Sequence, residues 1–172
     1  MHFRPRIICA LAVALTIATS HSLLMAEELP LRPLEPIVSE LTKSEKPDVS
    51  ELAYVSARGA ALFTALSSYV DSNAAGERDK KLANDLLREA LPFFQVAVLM
   101  GLEAKKTKEA TESQIKILIE AYSQMMIRSK QLNNEIASPA VTKDLAALKL
   151  IEPVVQTIAA EIEKQTSGSP SK

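Results

Sequence analysis

From Leu52 to Ile162 the apolar residues of this chain recur at alternating intervals of three and four, a period that only helices present on one face. Leu52, Val55, Gly59, Leu62, Leu66 and Tyr69 make the first stripe, at spacings of 3, 4, 3, 4 and 3. Leu82, Leu86, Glu89, Phe93, Val96 and Met100 make the second. Ile115, Leu118, Tyr122, Met125, Ser129, Leu132 and Ile136 make the third, and Val141, Leu145, Leu148, Ile151, Val155, Ile158 and Ile162 the fourth. Each stripe is the core face of a helix packed against others. Alternating β-branched runs are scarce, so a sheet has no material.

The boundaries fit the same reading. Asp48-Val49-Ser50-Glu51 has the capping-box pattern with an acid in the first place, and Pro47 discourages any earlier helix. "DSNAAGE", Asp71 to Glu77, is a turn broken by Asn73 and Gly76. Thr111 with Gln114 marks the start of a third helix, and Ser138-Pro139 gives an N-cap with proline in the first turn of a fourth. Short connections imply antiparallel neighbours. The expectation is an all-α chain whose residues 48–166 form an antiparallel up-down-up-down four-helix bundle.

Pro92 and Pro153 fall inside the second and fourth helices and are expected to kink them, each removing one backbone hydrogen bond. Counted along the helices, the two prolines, Gly59 and Tyr122 lie at similar depth. Two readings of that layer stand side by side. In one, the kinks open a cavity lined by Leu62, Phe93, Phe94, Tyr122, Met125 and Val155, with the Tyr122 hydroxyl as its polar handle. In the other, Gly59 admits a close helix and the Tyr122 hydroxyl points to water.

Outside the bundle the composition changes. "MHFRPR", a 12-residue apolar run from Ile7 to Ala18 and small residues before Glu27 have the form of a signal peptide over 1–26. The alternative is an uncleaved N-terminal anchor that tethers the chain to the membrane. After cleavage no stable membrane span remains, and the protein is expected to be exported, periplasmic or secreted. Pro30, Pro33 and Pro36 recur every third residue, so 27–47 reads as an extended Pro-rich linker. "TSGSPSK" ends the chain in a tail, disordered over 167–172.

Removing 1–26 also removes chemistry. Cys9, His2 and His21 are the only cysteine and histidines, and the chain has no tryptophan. Haem and di-iron bundles need histidine ligands, and zinc sites use Cys and His predominantly, so no cofactor and no metal is expected. There is no histidine base or cysteine nucleophile, so no catalytic residue is assigned and the chain is not read as an enzyme. Glu89 is the one acid on a core stripe, with Arg58 and Arg88 as candidate partners in a structural ion pair. Beyond residue 26 there are 21 acidic and 18 basic residues, a net charge of −3, and no basic stripe calls for nucleic acid.

What remains is apolar surface. "ALPFFQVAVLMGL", Ala90 to Leu102, is too short to span a membrane and carries more apolar residues than one core face uses. Phe93, Phe94, Val98, Leu102, Tyr122 and Met125 are therefore the candidate surface for a partner or an apolar ligand. The function expected is that of an exported helical module that binds a protein partner or a second copy of itself. The alternative is a carrier or sensor of a small apolar ligand held at mid-bundle.

Overall fold

The computed structural model describes residues 31–133 and 138–167, and within them every regular element is a helix. The all-α reading stands. The segment read as a signal peptide and residues 168–172 of the expected tail lie outside the described residues.

There are five helices among the described residues rather than four: α1 (Leu34–Lys43), α2 (Val49–Ser72), α3 (Glu77–Glu103), α4 (Lys108–Asn133) and α5 (Pro139–Ser167). They are not equivalent. In α2 every residue from Val55 to Phe63 is buried, and α2 touches all four other helices. A helix buried on all sides must be small or apolar all round. Ala57, Gly59, Ala60, Ala61 and Ala65 meet that demand between the larger Leu52, Val55, Leu62 and Phe63. The stripe at intervals of three and four is present in α2, but it is only part of what the helix buries.

Local chemistry sets the ends. The Asp48 carboxylate accepts from the Glu51 backbone N–H at 2.9 Å, as its capping pattern predicts. Ser138 Oγ accepts from the Val141 N–H at 3.3 Å, with Pro139 first in α5. The start of α4 is earlier than expected. It is capped by Thr107, whose Oγ1 accepts from the Ala110 N–H at 3.1 Å, while Thr111 is buried against Gly101. At the end of α3, Lys105 takes φ 61° and Lys106 donates to the Gly101 carbonyl at 2.9 Å. That closure usually falls to glycine. The other end of the chain also differs from expectation, since Ser167 still belongs to α5.

The expected extended linker over 27–47 is corrected by α1. Leu34, Val38 and Leu41 are buried and α1 packs on α5 and α2. Their spacing of four and three is the helical period, overlooked beneath the more conspicuous prolines. Pro33 sits at the N-cap and Pro36 is the third residue of α1, where a missing N–H costs nothing because first-turn N–H groups have no intrahelical partner. Proline every third residue here starts a helix.

Candidate functional site

Two features carry chemistry. The first is a polar cluster deep in the fold. Arg58 is 1% exposed, a buried guanidinium on the central helix. Its Nε donates to the Tyr122 hydroxyl at 2.5 Å, and its Nη1 donates to the Tyr54 hydroxyl at 2.8 Å and to the Arg32 carbonyl at 3.0 Å. Its Nη2 donates to Asp144 Oδ2, completing a buried ion pair. Tyr122 then donates its own proton to the same Asp144 oxygen at 2.7 Å. One side chain of α2 thus joins α4, α5 and the segment leading into α1.

The electrostatics follow from that geometry. Burial works against charge on Arg58, and Tyr122 and the Asp144 carboxylate more than restore it, so its pKa is raised. Burial also holds the Tyr122 proton in place far above the ordinary phenol range. The Asp144 charge and hydrogen bond add to that, against the opposing pull of Arg58. Arg58 holds all four partners at once, so the arrangement ties the helices together. Nearer the surface Arg32 makes a two-pronged contact with Glu51, at 2.9 and 2.8 Å, and lies 4.5 Å from the Tyr54 ring centroid.

Glu89 is not the partner of Arg58, and Arg88 pairs instead with Asp85 at 3.8 Å. The half-buried Glu89 of α3 meets Glu152 of α5. Two carboxyls can share a hydrogen bond only when one keeps a proton. Burial first, then the Glu152 charge and hydrogen bond, then Asp85, raise the Glu89 pKa. A carboxyl whose folded pKa lies above its unfolded value contributes stability that is full below the unfolded pKa and lost as pH rises through the folded one. At neutral pH the pair is therefore a cost. Glu89→Gln, whose amide can donate to Glu152, is expected to raise stability at pH 7 by under about 1 kcal/mol. The gain should vanish near pH 4, and thermal melts at the two pH values check it. Among the described residues no group of three or more His, Cys, Asp and Glu is placed to hold a metal ion.

The second feature is an open groove of about 820 Å³ between α3 and α4, with α2 as its floor. It forms because α4 packs mainly on α2 and only lightly on α3. Leu87, Leu91 and Phe94 line one wall, Ile115 and Ile119 the other, and Ala60 and Thr64 the floor. Ala90 and the polar Asn84, Arg88, Glu112 and Lys116 complete the lining. Leu87 and Leu91 are 51% and 54% exposed, a large apolar exposure for two adjacent turns of a helix.

The six residues singled out from sequence are not gathered into one site. Phe93 is core: its ring seats on Gly59 and lies 5.6 Å from the Phe63 ring, centroid to centroid. Tyr122 belongs to the polar cluster, which corrects both readings of its hydroxyl, neither in a cavity nor in water. Met125 is half-buried on α4, where Met126 is the fully buried neighbour. Phe94 lines the groove; Val98, half-buried, and Leu102, 51% exposed, continue its stripe toward the end of α3 without lining it. At 100° per residue, Leu87, Leu91, Phe94, Val98 and Leu102 fall within about 80° of arc. The mid-bundle residues Leu62, Phe93, Tyr122 and Val155 are fully buried and none of them lines the groove, so Gly59 marks a close approach. Leu82, placed on the core stripe by its spacing, is half exposed, whereas Phe93, Val96 and Met100 of that stripe are buried, together with Ala83, Ala90 and Ala97. Asp144 was missed, because an acid in the fourth helix gives no sign in sequence that it faces inward.

The fold and its two features define an all-α protein with a central helix, a buried Arg–Tyr–Asp cluster and an open apolar groove between α3 and α4. Compared with models of protein families, with characterised proteins and with solved structures, the chain matches none.

Proposed function

We propose that this protein is an exported helical module, periplasmic or secreted, that works by holding a protein partner in the α3–α4 groove. Helices α2–α5 are read as the antiparallel four-helix unit, with Pro92 and Pro153 bending its second and fourth members, and α1 as a fifth helix laid against it. The observation that carries the proposal is the groove itself, with Leu87 and Leu91 open to solvent and Phe94 half-buried along one wall. Exposed apolar surface between helices is what a helix-in-groove contact uses. A second reading, a carrier of a small apolar ligand, draws on the groove's volume, which falls in the range of ligand sites. Against it, ligand sites enclose most of their ligand, and this groove lies open to solvent, with Leu87 and Leu91 about half exposed when it is empty.

Both export and contact can be tested in cells. A photo-crosslinking residue at position 91 is expected to give protein adducts, and one at the exposed Leu150 of α5 is not. Adducts with the mass of a lipid at position 91 would favour the carrier. Intact mass of the envelope fraction should show a chain beginning at Glu27; a full-length chain there would favour the anchored form.

A further inference from the structure

We infer that the occupant of the groove is an amphipathic helix carrying carboxylates on its flanks. This rests on the reading of the groove as a docking site. The walls and floor are helices, whose backbone N–H and C=O groups are used internally, apart from the Arg88 carbonyl that Pro92 leaves without its helical donor. An extended peptide would find no main-chain partner there beyond that carbonyl and would leave its other groups unmet, whereas a helix arrives with them satisfied. Leu87, Leu91 and Phe94 are spaced by four and three, the ridge that fits between the side chains of another helix. The length suits this too. The lining runs from Asn84 to Phe94 on α3, about 15 Å at 1.5 Å per residue, so the groove takes nearly three turns of a helix.

The charge at the mouth selects the sign. Arg88 stands on the α3 side, its side chain 83% exposed and, among the described residues, ion-paired only with Asp85 at 3.8 Å. Lys116 stands on the α4 side, exposed, with no ion pair among the described residues. The one acid of the lining, Glu112, is already met by Lys108 at 3.7 Å. Two under-used cations therefore flank an apolar floor. The chain as a whole is slightly acidic, with a net charge of −1, so the preference arises locally and not from overall attraction.

The test uses two labelled helical peptides of four turns, each with leucines at i, i+4 and i+7, one flanked by glutamates and one by lysines. Fluorescence anisotropy with the purified full chain should show the acidic peptide binding at least tenfold more tightly. In the Arg88→Glu, Lys116→Glu double variant, both positions being exposed, the order should reverse. Leu91→Glu should abolish binding of both while the far-ultraviolet circular dichroism stays unchanged. Equal affinity for the two peptides, or a preference unmoved in the double variant, overturns the inference and leaves the docking groove standing. Binding of neither peptide overturns both readings. In that case a fluorescent fatty acid held by the wild type assigns the groove to an acyl ligand, and a dimer dissolved by Leu91→Glu assigns it to a second copy.

Discussion

Arg58→Ala is expected to lower stability by about 3–5 kcal/mol, the largest single loss available to a side chain outside the apolar core. The cost is mostly what the change leaves behind. Asp144 would remain buried without its cation, and the Tyr54 hydroxyl and Arg32 carbonyl would lose their donor. Asp144→Ala should cost nearly as much, by stranding Arg58. If the cluster acts as a unit, the losses do not add. The triple variant Arg58→Met, Tyr122→Phe, Asp144→Leu should recover much of the stability, because apolar side chains of like size replace the three buried polar ones and only the part-buried Tyr54 hydroxyl and Arg32 carbonyl lose their donor. Urea unfolding of the wild type, the two single variants, the Arg58→Ala, Asp144→Ala double variant and the triple decides it; a double-variant loss equal to the sum of the single losses, or a triple variant worse than either single, would show the groups acting independently. The Arg58→Ala protein should also lose hydrogen-exchange protection in α1 ahead of the other helices, since the Arg32 carbonyl is one of its ties.

The helical class could be read from the apolar period because period depends on neighbours in sequence. Asp48 and Ser138 behaved as caps for the same reason: a cap reaches only two or three residues away. The rest depended on contacts across the chain. Nothing near Arg58 in sequence announces a partner 86 residues later, and Asp144 lies among residues that could as well face water. The centrality of α2 could have been found, since "ARGAALFTAL", Ala57 to Leu66, has no broad polar face and a helix at the surface needs one. The prolines before α1 drew attention from Leu34, Val38 and Leu41, whose spacing was the stronger signal. The candidate site was half legible. Phe94, Val98 and Leu102 stood out as apolar residues without a core to fill, and they do share an exposed stripe. That α4 would lean on α2 and leave Leu87, Leu91 and Phe94 facing Ile115 and Ile119 is a packing outcome no local pattern encodes.

The position of that wall depends on one missing side chain, which leads to the second large effect. A Cβ on residue 59 would sit 2.3 Å from Phe93 Cδ1 and 2.7 Å from Cγ and Cε1. The ring cannot simply swing away, because Phe63 stands beside it and both are buried. Alanine is the better helix former by about 1 kcal/mol, so a gain would be expected if Gly59 were only a weak point in α2. Overpacking a full core costs up to about 3 kcal/mol. The clash should win, and Gly59→Ala is expected to lose roughly 2 kcal/mol in urea unfolding. A gain would mean that α3 can shift outward at no cost. Gly101→Ala should also lose stability, since its Cβ would meet the Thr111 hydroxyl oxygen at 2.6 Å and Thr111 is buried and held to the Thr107 carbonyl. Phe93→Leu should be less harmful in the Gly59→Ala protein than in the wild type, with a coupling of at least about 1 kcal/mol. Leu87, Leu91 and Phe94 ride on the same helix as Phe93. Any relief of the clash that moves α3 therefore moves one wall of the groove, and Gly59→Ala should weaken the acidic peptide severalfold although residue 59 does not line the groove.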